Sequence, residues 1–393
     1  MIIDSVLKKS LLRSGIYTLL LSIVFVFFSW KESSPAAIFS ALPFFVVLYF
    51  IFFTLGKPSV SQWIREKTEY DHSRIILFPL FLIVLYFVYI IINGHNPLDG
   101  TLFLVPYLLF FPVLMLAPKG KLDDPFNWVD FFTFTFFVFP VTLVKINFTG
   151  DLPYNGGHFD SIYRIAVMLT AVYAFVTVRN LLDVGCYPVF NLRFLFTTIW
   201  VWLAFYLFVF AIGYGIHFIR LSTEHHFNVD IVEKISVGMV SIFLHTALFE
   251  ELVFRGLLQN MLGKRIAQSA SWKSFWTWGL IILIALALLA GYTLKGSMQW
   301  FPALIIVLLF GVAFGIEQYG KQLMGVYTAL AITSCIFGLV HYHSGSIIFI
   351  GLACIGGWAY GYTYLKTRNV FYSALLHALV NSSPLIFGLE FAK

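Results

Sequence analysis

Charge is low in this chain. Of 393 residues, 11% are Asp, Glu, Lys or Arg, against 60% hydrophobic. Soluble domains carry about 25% charged residues, so a soluble enzyme or binding module is excluded. The mean hydropathy of +0.87 points instead to a polytopic membrane protein. Cysteine is far rarer still, with three residues in the chain. Cys186, Cys335 and Cys354 lie far apart and no CxxC occurs, which leaves a zinc knuckle or a dithiol redox motif without support. Cys335, inside an apolar run, reads as a small packing residue. A net charge of +6 and a pI of about 9.0 come without any clustered basic stretch, so no nucleic-acid partner is expected. The surplus reads as cytoplasmic loops beside anionic lipid headgroups. There is no clear internal repeat, which speaks against an inverted-repeat transporter.

Long apolar runs are abundant, and 45 phenylalanines suit a lipid-facing surface. About thirteen segments approach the length needed to cross ~30 Å of hydrocarbon. They run roughly 14–30, 36–55, 75–93, 101–117, 127–148, 161–179, 194–217, 235–262, 274–293, 298–315, 325–342, 346–365 and 369–389. The expected fold class is an all-α transmembrane helix bundle. The fourth segment is interrupted by Pro106 and Pro112. The first follows Lys8, Lys9 and Arg13 like a signal peptide, but it lacks a small-residue cleavage site and reads as a retained span. Between Lys57 and Arg74 the sequence allows a short surface helix (Trp63 and Ile64 with Arg65 and Lys67) or a solvated charged loop.

Basic residues alternate between the two sets of connections. Lys8/Lys9/Arg13, Lys57/Arg65/Lys67/Arg74, Lys119/Lys121, Arg179/Arg193, Lys264/Arg265/Lys273, Lys321 and Lys366/Arg368 fall on one side. The other side is poorer and includes the acidic Asp151–Asp160 loop. This places the protein in the cell membrane with its N-terminus cytoplasmic. Asp130 and Lys145 lie near the ends of the fifth segment and read as snorkelling side chains.

Polar residues inside spans concentrate after about residue 235. Glu250-Glu251…Arg255 puts three charges into six apolar-flanked residues, each costing ~3 kcal/mol on insertion scales. Glu251 and Arg255 share a face at i, i+4 and can pair. Glu250 points about 100° away, is the freer carboxylate, and suits a general base. Phe337…His341 and His377…Asn381 repeat the i, i+4 spacing on two later helices. Counting from the basic loops at ~1.5 Å per residue, Glu250 lies about 21 Å deep, His341 about 24 Å, and His377 and Asn381 about 13 and 20 Å. A carboxylate, two histidines and an amide at similar depth suit water-mediated hydrolysis. His245, about 140° from Glu250, reads as packing or lining. His217, His225 and His226 resemble a metal cluster only superficially.

These motifs, in this order and with flanks FEELVFRGLLQ, FGLVH and YSALLHALVNS, resemble the CAAX protease and bacteriocin-processing (CPBP, or Abi) intramembrane proteases, which include the type II CAAX prenyl endopeptidases. The resemblance covers about 235–390. It implies a glutamate-dependent endopeptidase in which Glu250 and His341 activate water and His377 and Asn381 form the oxyanion site. It makes Glu251 and Arg255 structural or supporting, with Phe337 supporting as well. It implies a peptide or protein substrate, with lipidated and membrane-anchored chains among the candidates, and membrane lipids as surroundings. The chain departs from the family pattern in about 80 residues between the first two motifs and in its N-terminal extension. The expected organisation is an extension over 1–230 and a protease domain over 231–393, with an inserted helical hairpin at about 270–318. No cofactor is expected. A divalent metal at Glu250, His341 and His377 is the chemical alternative, and a scaffold, immunity protein or transporter the functional one.

Overall fold

The computed structural model describes residues 2–31, 33–68, 71–98, 101–119, 126–142, 152, 161–222, 228–295, 298–320 and 325–391. Lys121, Lys145, His225, His226, Lys321 and the loop from Asp151 to Asp160, save Leu152, lie outside them.

Each of the thirteen apolar segments corresponds to helix. The helices are α1 (Ile2–Ser29), α2 (Pro35–Leu55), a short α3 (Pro58–Thr68) and α4 (Leu77–Ile92), then α5 in two pieces (Thr101–Leu109 and Phe111–Leu116), α6 (Trp128–Thr142), α7 (Ile162–Val178) and α8 (Leu192–Gly215). After strand β1 (Ile219–Leu221) come α9 (Ile231–Ala267), α10 (Trp272–Leu294), α11 (Phe301–Tyr319), α12 (Val326–Val340), α13 (Ile347–Thr367) and α14 (Val370–Phe387). Strand β2 (Leu389–Phe391) closes the described chain and pairs antiparallel with β1. Ten helices among the described residues are long and apolar enough to cross a membrane, and α5 to α7 are shorter apolar helices. The protein is an all-α polytopic helix bundle.

Local chemistry sets the breaks. Ser34 caps α2 by accepting from the Ala37 amide at 3.3 Å, with Pro35 at the first helical position, where its missing N–H costs nothing. The interrupted fourth segment is helical over Thr101–Leu109 and again over Phe111–Leu116, with Pro112 starting the second piece. The ring blocks the bond to the carbonyl four residues back.

The chain divides into two compact units, Met1–Phe190 with Leu244–Phe249, and Asn191–Phe243 with Glu250–Lys393. The expected boundary at 230 falls inside the second.

In the first unit, of the two readings of the Lys57–Arg74 stretch the helix is found, over Pro58–Thr68. It is not simply solvated. Arg65 Nη1 donates to the Thr177 and Val178 carbonyls at 2.7 and 2.9 Å, satisfying end-of-helix acceptors on α7. Lys57 is 7% exposed and donates to the Ser10 carbonyl at 2.7 Å and Ser14 Oγ at 2.8 Å. Burial first, then the positive charge of Arg13, pulls its pKa down to about 8. Asp130 corrects an expectation. It does not snorkel but is fully buried, with Arg179 Nε donating to Oδ1 at 2.7 Å and Nη2 to Oδ2 at 3.1 Å. A carboxylate on one methylene is too short to reach water, so it takes a bidentate guanidinium partner. Arg179, counted above as a loop charge, is that partner and is itself buried. His245 lies 3.4 Å from Arg164 Nη1, and the Arg164 guanidinium sits 4.8 Å over the Phe249 ring; these residues all group with the first unit.

In the second unit α13 is the innermost helix, with 78% of its apolar window buried. Glycines let its neighbour approach. A Cβ on Gly357 would sit 2.8 Å from the Ser334 carbonyl oxygen, and one on Gly338 would strike the Cys354 side chain. α12 and α13 therefore meet backbone to backbone. Ser346 and Asn369 cap α13 and α14 through Phe349 and Phe371, fixing where the last helix starts and the depth at which His377 sits.

Candidate active site

The two glutamates occupy a short α-helical turn, Leu248–Glu251, between widened π-helical stretches at Ile242–Ala247 and Leu252–Gln259. Such stretches recur at functional sites because they re-aim side chains that a regular helix would point elsewhere. Glu251 and Arg255 are both fully buried and pair as expected, Nε to Oε2 at 3.1 Å. The rest of the guanidinium faces aromatic rings, 4.9 Å from the Phe337 centroid, 5.7 Å from Phe254 and 5.9 Å from Tyr360. That cage offsets part of the cost of burying the cation.

Glu251 does more than pair with arginine. Its Oε1 accepts from His377 Nδ1 at 2.9 Å and its Oε2 from Ser373 Oγ at 2.6 Å. An ionised carboxylate only accepts, so His377 carries its proton on Nδ1 and turns Nε2 the other way. That nitrogen lies 3.9 Å from Glu250 Oε2. Glu250 differs from its neighbour. Its side chain is 26% exposed, and Oε2 has no hydrogen-bond partner among the described residues. His341 is fixed in the same manner as His377. Its Nδ1 donates to the Phe337 carbonyl at 2.8 Å, an atom that can only accept, which leaves Nε2 open.

Phe337 holds the group together. Its ring lies 4.8 Å from His341, 5.8 Å from His377 at 82°, and 5.7 Å from Tyr360 at 87°. His341, His377 and Asn381 line one cavity of about 370 Å³ with Phe337 and Tyr360. Glu250 and Glu251 of α9 do not line this cavity; they reach the group through His377, at 3.9 and 2.9 Å. Among the described residues, no three His, Cys, Asp or Glu side chains cluster as a metal site would.

Reading the sequence missed two participants. Tyr360 stacks on His377, ring centroids 4.5 Å apart and planes 11° off parallel. Nothing marks it among the tyrosines of α13. Ser373 had a signal, since it stands four residues before His377 on the same helix face.

The sequence profile of the Rce1-like type II CAAX prenyl endopeptidases matches residues 233–321 and 315–383. The C-terminal region belongs to the CAAX protease family. Both glutamates, Arg255, both histidines and Asn381 fall inside the match. The match in the C-terminal region and the ten long apolar helices support a multi-pass membrane protein. No curated protein and no solved structure matched the chain.

Proposed function

We propose that the chain is a metal-independent intramembrane endopeptidase that cleaves a peptide or protein substrate, in or near the bilayer, with an activated water. Glu250, assisted by His341 Nε2, takes a proton from the water. The hydroxide adds to the scissile carbonyl carbon. His377 and Asn381 stabilise the oxyanion, His377 donating from Nε2 as an imidazolium that has taken its second proton from solvent before the peptide binds. The C–N bond then breaks as the base returns its proton to the leaving amine. Glu251, held by Arg255 and Ser373, is the positioning residue for His377. The substrate is a membrane-anchored or lipidated polypeptide reached from surrounding lipid. The protein sits in the cell membrane with its N-terminus cytoplasmic.

The observation that carries this reading is the pair of contacts on His377, 2.9 Å to Glu251 and 3.9 Å to Glu250. One ring nitrogen is locked by a buried carboxylate while the other faces the freer one. The test compares membrane peptidomes of cells making wild-type, Glu250→Ala or His341→Ala protein at matched levels. Both variants are expected to lose the same set of cleaved termini, with a rate loss of about 10²–10⁴-fold for removing a general base. Unchanged termini in both would leave a scaffold or carrier. With purified protein, EDTA and 1,10-phenanthroline are expected to change the rate less than twofold. A loss restored by added zinc would establish the metal mechanism instead.

A further inference from the structure

Several walls of the active-site cavity come from outside the family match. Phe205 and Val209 come from α8, Phe218 and Ile219 from the approach to and start of β1, and Phe391 from the end of β2. In the ribbon, Ile219 stands opposite Phe391, Arg220 opposite Glu390 and Leu221 opposite Leu389. Opposed residues share a face and successive ones alternate. One face therefore carries Ile219 and Phe391 to the cavity, and the other carries Arg220 and Glu390 outward. Arg220 Nε donates to Glu390 Oε2 at 2.9 Å, with the two side chains 69% and 46% exposed.

The strands are unequal. Ile219 is buried and packs where Gly213 of α8 has no side chain, so β1 is anchored. Phe391 is 46% exposed and forms the rim. β2 turns off α14 through Gly388 at φ 62° and is held by the Ser222 amide donating to the Gly388 carbonyl at 2.8 Å, by the Phe218–Phe391 ring contact at 5.6 Å and by the ion pair. Two three-residue strands have little stability of their own. The cavity, about 370 Å³, is near the small end for ligand sites, ~300–1,000 Å³. It accommodates a side chain or two, and its walls away from the histidines and Asn381 are aliphatic and aromatic.

We propose that the β1–β2 ribbon is the specificity flap of this site, in which Ile219 and Phe391 select a bulky apolar side chain next to the scissile bond of an extended peptide while the Arg220–Glu390 pair holds the flap over it. This rests on the peptidase reading, and two experiments keep the questions apart. In detergent micelles, the full chain is given quenched fluorescent peptides that differ at one position from Gly to Leu to Phe. Wild type is expected to favour Leu and Phe over Gly at least tenfold in kcat/KM. Phe391→Ala and Ile219→Ala are expected to cut that preference at least fivefold, and Glu250→Ala to abolish cleavage. Cleavage that survives Glu250→Ala overturns the peptidase reading. Glu250-dependent cleavage with unchanged preference overturns the flap alone.

The second experiment needs no turnover. Ala353 lines the cavity, and all three native cysteines are fully buried. A fluorescent maleimide on Ala353→Cys protein therefore reads access to the cavity. Glu390→Arg is expected to speed labelling at least fivefold, and adding Arg220→Glu to restore the slow rate. Equal rates in all three proteins overturn the flap, whatever the peptides show.

Discussion

His377 is an imidazole whose two nitrogens have been given different neighbours. Glu251 can fix one of them only because it is fixed itself, by Arg255 at 3.1 Å and by Ser373 at 2.6 Å. Ser373 is therefore expected to matter although it touches no substrate. A hydrogen bond to a charged group is worth ~1.5–3 kcal/mol, and ~1.4 kcal/mol is a tenfold rate. Ser373→Ala is expected to lower kcat about tenfold or more with KM nearly unchanged, and Ser373→Thr to recover much of the loss if its methyl fits. A parallel rise in KM would instead mean that the serine only shapes the cavity. The polar participants on α9, α12 and α14 were legible because ionisable groups in an apolar run are few and costly. Tyr360 was hidden because a tyrosine is an ordinary residue in such a helix, and Ser373 was overlooked although its i, i−4 spacing from His377 was there to read. Only the third dimension shows the hydroxyl on Glu251 and the ring beneath His377.

At the scale of elements, glycine decides how closely helices pack. Gly357 leaves no room for a methyl against the Ser334 carbonyl, whereas a Cβ on Gly311 of α11 would meet nothing within 4 Å. Gly357→Ala is expected to cost ~1–3 kcal/mol by overpacking, read as a drop of several degrees in Tm in detergent. Gly311→Ala is expected to be neutral or slightly stabilising, since alanine is the better helix former by ~1 kcal/mol. Equal Tm values for the two variants would show that the α12–α13 contact relaxes freely. Helix positions were legible because apolar length is a strong signal. The π-helical stretches around the glutamates were not, because an i→i+5 turn has no composition of its own. A uniform 100° per residue therefore describes α9 only approximately. The ribbon was equally invisible. Three-residue strands fall below any periodicity, and their pairing joins residues 170 positions apart.

At the scale of the whole molecule, stability is expected to depend on pH through Lys57, which is buried beside the start of α3. Its pKa falls from 10.5 to about 8 on folding, so between those values the unfolded chain holds more protons. Stability then rises with pH. Below about pH 8 the folded protein bears the cost of a buried ammonium, and that cost disappears progressively up to about 10.5. Wild type is expected to gain Tm relative to Lys57→Met between pH 8 and 10. A difference flat across that window would mean the ammonium is well solvated. The buried Asp130–Arg179 pair has a different reach, into the order of synthesis. Its members are 49 residues apart, so the ribosome delivers the acid well before the base. Until Arg179 is made, the Asp130 carboxylate in the first turn of α6 has the Asn127 amide at 3.0 Å but not its bidentate partner. A nascent chain stalled between these two residues would carry Asp130 with its guanidinium contact still unmade, so this cross-link between α6 and the end of α7 can form only after the later helix is complete.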